Sequence, residues 1–182
     1  MDIFEGGFFM NEIIRCLCER RSCRSYCQTQ VEEEKLQQIL KAGTYAASGM
    51  GRQPAKIVVL QKKEDIEALE TLNAAIMGRP GTHPFYGAPT VCIVLTKADV
   101  YTGVEDASLV MGNLMNAAHS LGVDSCWIHR AKEEFESAEG KKMLEKWGIE
   151  GDWRGVGHCI LGYANAENRP AAERKEDYIV RI

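Results

Sequence analysis

Apolar residues recur along this chain with helical and strand-like spacings. Ile13, Ile14, Leu17 and Cys18 form a helical stripe behind Asn11, a competent cap, and leave Glu12, Arg15 and Glu19 outward. Thr29, Gln30, Val31 and Glu32 have capping-box spacing ahead of Leu36, Ile39 and Leu40, which predicts a second helix ending near Gly43. After Pro54, the run Ile57, Val58, Val59, Leu60 is continuous and apolar, the pattern of a central strand buried on both faces. A helix over about residues 65–75 turns Ile66, Leu69, Leu72 and Ile76 inward. A turn-rich loop over 78–84 then precedes a strand over 91–95.

The segment 105–121 is apolar around nearly its whole circumference, through Leu109, Val110, Met111, Leu114, Met115, Ala117 and Ala118, which predicts a helix buried on all sides. A chain this small rarely encloses a helix completely, so part of that surface is expected to meet a second copy in a homodimer. Residues 123–128 return to the sheet, 140–147 form a short helix, and 157–163 the last apolar strand. Residues 164–176 show no period, and such a tail either dangles or wraps a partner.

Composition narrows the function classes. With 182 residues, 45% apolar and 26% charged, the chain suits one globular domain over 1–182, with 1–9 expected as a flexible N-terminal extension. A net charge of −4 argues against nucleic-acid or acidic-membrane partners. No window approaches the roughly 20 apolar residues of a membrane span. The first nine residues, with Asp2 and Glu5, do not read as a secretory signal, so a cytoplasmic location is expected. Seven cysteines without a regular framework argue for reduced thiols there. Cys16 and Cys18 point apart on a helix, and neither Cys23/Cys27 nor the four histidines complete a metal-binding spacing. His119 reads as a core or interface side chain, and His83 as either a solvated loop residue or one whose loop borders a site.

Against that acidic background, Arg20, Arg21, Ser22, Cys23, Arg24, Ser25 and Tyr26 gather three guanidinium groups and two serine hydroxyls. Arginine presents a rigid fork of donors that matches phosphate, so the cluster reads as a local anion site. The alternative is a solvated helix end whose charges complement the macrodipole. Ser48, Gly49, Met50 and Gly51 form a loop by composition, because the two glycines permit backbone conformations closed to other residues. No G-x-G-x-x-G follows the first strand, and neither a P-loop nor a Gly-x-Ser-x-Gly elbow is present.

Arg-Arg-Ser-x-Arg-x-Tyr after a short first helix resembles the opening of the FMN-dependent nitroreductase family. The stretch from Ala47 through Pro54 looks like that family's Ser-Gly-x-Asn-x-Gln-Pro segment, and Gly87, Ala88, Pro89 like its entry to a strand. Leu121 through Ile128 is similar to the end of its long helix and the strand that follows, and Ile160 through Tyr163 with Arg174 and Lys175 to its tail. The resemblance implies an α+β fold, a three-layer α/β/α sandwich with a mixed central sheet, and a C-terminal tail exchanged between subunits.

It also implies bound FMN and a transient NAD(P)H donor. The activity would be passage of a hydride to a nitroaromatic, quinone or similar small acceptor by a ping-pong mechanism. The catalytic chemistry would then be the cofactor's, with no catalytic side chain required. Arg20, Ser22 and Arg24 would hold the phosphate and ribityl side, with Arg21 alongside and Arg174 and Lys175 returning from the tail. Ser48, Gly49 and Gln53 would approach the ring from the other subunit, and the backbone near Trp127 and Ile128 would flank it. Gly51 stands where the family often has Asn, and Ala55 where it often has an aromatic, so one wall of the pocket departs from the pattern. A protein that holds FMN without turning it over, or a specialised flavin enzyme such as a dehalogenase on the same fold, are the alternatives.

Overall fold

A computed structural model describes residues 10–182; the expected N-terminal extension, 1–9, lies outside the described residues. Helix α1 (Glu12–Glu19) starts where Asn11 Oδ1 accepts the Ile14 N–H at 2.9 Å. The predicted stripe is there, yet no residue of α1 is buried, and Ile13, Ile14 and Leu17 face outward.

Helix α2 (Glu33–Thr44) begins later than the capping-box spacing suggests: Glu32 is the cap residue and makes no side-chain cap bond. Its carboxylate is drawn away instead, accepting from the Tyr163 hydroxyl and lying 3.4 Å from Lys35 Nζ. Leu36 and Ile39 point inward onto helix α4 (Gly103–Ser120).

Four strands, β1 (Ala55–Leu60), β2 (Thr90–Lys97), β3 (Asp124–Ile128) and β4 (Trp153–Gly162), form one sheet in the order β1-β2-β4-β3. Their pairings are all antiparallel, and the parallel element expected of a mixed sheet is one bridge between Ser22 and Ser125. Alternation along β2 decides the layers. Val91, Ile93 and Leu95 pack with Ile66 and Leu69 of α3 (Lys63–Ile76), Phe135 of α5 (Ala131–Glu136) and Leu144 of α6 (Ala138–Lys146). Cys92 and Val94 pack with α2 and α4 on the other face. The result is a three-layer α/β/α sandwich of the α+β class.

Large side chains buried this way contribute about 1.5–3 kcal/mol each. Leu114, wholly buried between α2 and the sheet, is one whose truncation to Ala would cost about 2–5 kcal/mol.

Two expectations change. The run Ile57 to Leu60 is not a central strand: β1 pairs with β2 alone among the described residues and is an edge. Val58 and Leu60 face the core, whereas Ile57 and Val59 are half-exposed along a cavity, so the run is apolar without being enclosed. Helix α4 is likewise not covered all round, because Leu109 and Val104 are exposed while Ala107, Met111, Leu114 and Ala118 are sealed. Helix α5 was not expected, and β4 is longer at its start than its apolar run.

Candidate functional site

The arginine cluster leaves the C-terminus of α1 and runs beside β3, where Ser22 bridges Ser125 and the Cys23 N–H donates to the Ser125 carbonyl at 3.0 Å. The four candidate residues in it differ sharply. Arg21 Nη1 donates to the carbonyls of Cys18 at 2.6 Å and Arg20 at 2.8 Å, so this guanidinium closes the helix end. That is the role of a basic residue complementing unpaired terminal carbonyls. Arg24 is exposed, and Ser22 half-buried.

Arg20 is half-buried, and its Nη1 is enclosed with no hydrogen-bond partner among the described residues. A charged donor taken out of water without an acceptor is costly, and the position calls for an anion. The Ser125 hydroxyl, two residues before Trp127, is also enclosed and unpartnered. These orphaned donors are what a phosphate-bearing cofactor beside Ser22 would need, so the residues present fit FMN.

Trp127 and Ile128 lie at the other end of β3, Ile128 buried in the α3/α5 layer and Trp127 half-buried over Gly157 beside Met111. Burial pushes the neighbouring thiols up: Cys92, facing Cys159 across β2 and β4, rises to about 12, and Cys159 lies well above the ordinary range. Both therefore stay protonated, non-nucleophilic core residues.

Ser48, Gly49 and Gln53 form a second group. The chain turns through a 3-10 turn, Gly49–Gly51, with Met50 at φ 55°, Gly51 at 66° and Gln53 at 49°. Left-handed backbone at a non-glycine residue costs about 1–2 kcal/mol. The Ser48 hydroxyl oxygen accepts the Gln53 N–H at 3.1 Å, and Asp106 Oδ1 accepts the Gly49 N–H at 2.8 Å. Ser48 and Gln53 line a cavity of about 330 Å³ walled by Leu40 of α2, Ala55, Ile57 and Val59 of β1, and Val110 of α4. Asp106, which lines it too, was missed in the sequence because an acidic residue in a first helical turn reads as a partner of the macrodipole.

The two groups do not meet within the chain. Ser22 sits at the start of β3, the end of the sheet where Asp124 pairs with Gly162 and Thr90 with Leu161. Residues 48–53 lead into Ala55, which pairs with Thr96 at the opposite end, on the opposite edge strand. Arg174 and Lys175 join neither group; both are exposed in the tail, where Arg174 donates, among the described residues, to Ala172 O alone, at 3.1 Å from Nε and 2.6 Å from Nη2.

His83 pairs with Glu70 at 3.0 Å in a separate surface cavity. Among the described residues no cluster of three or more potential metal ligands occurs, and no helix is long and apolar enough to cross a membrane.

The fold has solved counterparts. A nitroreductase with bound FMN from Bacteroides fragilis superposes with a TM-score of 0.89 at 26% identity, covering 95% of this chain and 100% of the other. One from Desulfitobacterium hafniense, also with bound FMN, gives 0.86 at 27% identity, covering 96% and 100%. An Archaeoglobus fulgidus protein provisionally named NADH dehydrogenase/NAD(P)H nitroreductase is 31% identical over 121 residues, 65% of this chain and 68% of its own length. The FMN reductase [NAD(P)H] of Bacillus subtilis is 28% identical over 134 residues, 63% of this chain but only 52% of its own length. The model of the nitroreductase family matches residues 17–163, from the last turn of α1 past the end of β4, and with the arginine cluster, the 48–53 loop and the three-layer sheet inside that span, the chain belongs to the nitroreductase family.

Proposed function

We propose that the protein is a homodimeric, FMN-dependent oxidoreductase that passes a hydride from NAD(P)H to a nitroaromatic, quinone or similar small acceptor by a ping-pong mechanism. The observation that carries this reading is the enclosed, unpartnered Nη1 of Arg20 beside Ser22, in a family two of whose solved members hold FMN. When bound, the flavin would supply the redox chemistry, and the protein the binding, orientation and water exclusion.

In this reading Arg20, Ser22 and Arg24 anchor the phosphate and ribityl side, and Arg21 fixes the helix end from which they project. The backbone at Trp127 and Ile128 holds the ring edge. Ser48, Gly49 and Gln53 come from the partner subunit, because the sheet puts them at the far corner from Arg20 in their own. Arg174 and Lys175 reach the phosphate when the tail crosses the interface.

Three uncovered surfaces support the dimer: the stripe Ile13, Ile14 and Leu17 on α1, Leu109 on α4, and the tail residues Tyr178, Ile179, Val180 and Ile182. The open edge of β1, with the half-exposed Ile57 and Val59 beside it, is a place where an extended tail could add as a strand.

One observation favours a second reading, a binder without turnover: Gly51 carries no side chain where the family often has Asn, and the space a Cβ would occupy there is open, with no heavy atom of the described residues within 4 Å. Anaerobic mixing of the flavin-loaded protein with NADH and with NADPH separates the two. Bleaching of the flavin, followed by reoxidation with a quinone or nitroarene, is the result expected of the enzyme. A flavin that stays oxidised with both nucleotides identifies the binder.

A further inference from the structure

Residues 48–53 combine two bulky left-handed residues, Met50 and Gln53, with a glycine that cannot be replaced without a clash. Such a loop persists only when its surroundings over-determine it. Its internal bonds, Ser48 Oγ with the Gln53 N–H and Ser48 O with the Gly51 N–H at 3.0 Å, close the turn upon itself but do not fix it to the body of the protein.

Fixing comes from α4. Asp106 is 5% exposed, and its two carboxylate oxygens are divided between two donors. Oδ1 accepts the Gly49 N–H at 2.8 Å, and Oδ2 accepts the Thr102 hydroxyl at 2.9 Å. Thr102 also limits the space, since a Cβ at Gly49 would lie 2.6 Å from its Oγ1. Asp106 shares the cavity wall with Ser48 and Gln53, so the anchor and the loop it holds border the same space.

We propose that Asp106, oriented by Thr102, is a positioning residue that locks the 48–53 loop onto α4 in the left-handed geometry with which it faces its ligand. Anchoring by a buried carboxylate uses a charge-assisted bond, the strong kind, and places it on the residue just before the left-handed Met50, at the start of the turn that Ser48 closes onto Gln53. The identity of the ligand as flavin rests on the function proposed above; the anchoring does not.

The test compares Asp106→Ala with Asp106→Asn, which keeps an acceptor at the same place. In protein without added flavin, hydrogen exchange of the Gly49 amide should quicken by about ten-fold or more in Asp106→Ala, the loss of one hydrogen bond to a charged group, and far less in Asp106→Asn. Exchange of the Ile93 amide, in the middle of β2, reports global opening and should not rise with it.

With FMN, Asp106→Ala should weaken binding about ten-fold and Asp106→Asn should largely restore it. Gly49→Ala, whose Cβ would lie 2.6 Å from Thr102 Oγ1, should mimic Asp106→Ala, which keeps the proposal testable if Asp106→Ala does not fold. Gly49 exchange that stays at the wild-type rate, or that rises only in step with Ile93, overturns it. A wild-type protein that binds no FMN removes the proposed function and leaves the exchange comparison standing.

Discussion

Glu134 Oε2 meets His158 Nε2 at 2.5 Å, with both side chains wholly buried between the sheet and the α3/α5 layer. The other carboxylate oxygen accepts from Asn73, whose own Oδ1 accepts Arg130 Nε at 3.0 Å, and the imidazole sits between Phe85 and Phe135. The pair thus joins α3, α5 and β4 through polar groups that have no access to water.

Removing one member leaves the other buried and unpaired, so Glu134→Ala should destabilise the protein by about 3–5 kcal/mol. His158→Gln, which keeps a donor near the position of Nε2, should lose less. Urea unfolding followed by circular dichroism checks both, and a loss under about 1 kcal/mol for Glu134→Ala would mean that the network is not structural.

Asp65 accepts Lys146 Nζ at 2.7 Å and the Trp147 indole N–H at 3.2 Å, and these donors, Lys146 first, hold its carboxyl below the ordinary 3.8. A carboxyl depressed in the folded state adds stability at pH above its unfolded value, and that stability is lost as pH falls through the folded value. Thermal melts should therefore show wild type losing an advantage over Asp65→Asn below about pH 4, with a gap of about 1 kcal/mol above it. A gap that widens on acidification contradicts the assignment.

A site composed of residues from two subunits, as proposed, predicts complementation between them. Arg20→Ala and Gly49→Val homodimers should each have two defective sites, but a mixed dimer carries both changes at one site and neither at the other. Equal mixing with subunit exchange should restore roughly a quarter of wild-type activity, from half of the dimers and half of their sites. No recovery, despite mixed dimers seen by native mass spectrometry, would place both groups in one subunit's site.

Truncation after Asn168 removes Tyr178, Ile179, Val180 and Ile182 together with Arg174 and Lys175. Sedimentation should show a shift toward monomer, and FMN affinity should fall. A truncated protein that stays dimeric and keeps full affinity would leave the tail without the proposed role.

The long α4 and the second and fourth strands were legible because burial on a helix or between two layers imposes a period on the sequence, whereas the three layers were implied by the family resemblance. What was not legible follows from how little of the environment a period encodes. Ile57 and Val59 look central because an edge awaiting cover is as apolar as a filled core. Thr29 looks like part of a capping box because spacing cannot register that Tyr163, far along the chain, takes the Glu32 carboxylate. The arginines could be read as an anion cluster, but that Arg21 closes a helix while Arg20 is left unpartnered is a matter of geometry alone. The roles of Asp106 and Glu134 were not legible, since Gly49, which Asp106 anchors, lies 57 residues away, and His158, which Glu134 pairs with, lies 24 away.

The central claim is that the arginine cluster grips the phosphate of FMN, and titration of the apoprotein with FMN and with riboflavin, which lacks the phosphate, tests it most directly. Wild type should prefer FMN strongly. Arg20→Ala should lose charge-assisted bonds of about 1.5–3 kcal/mol, weakening FMN about ten- to a hundred-fold with little change for riboflavin. Arg20→Lys should fall between, keeping the charge without the fork. Equal affinity of wild type for the two flavins would contradict the account.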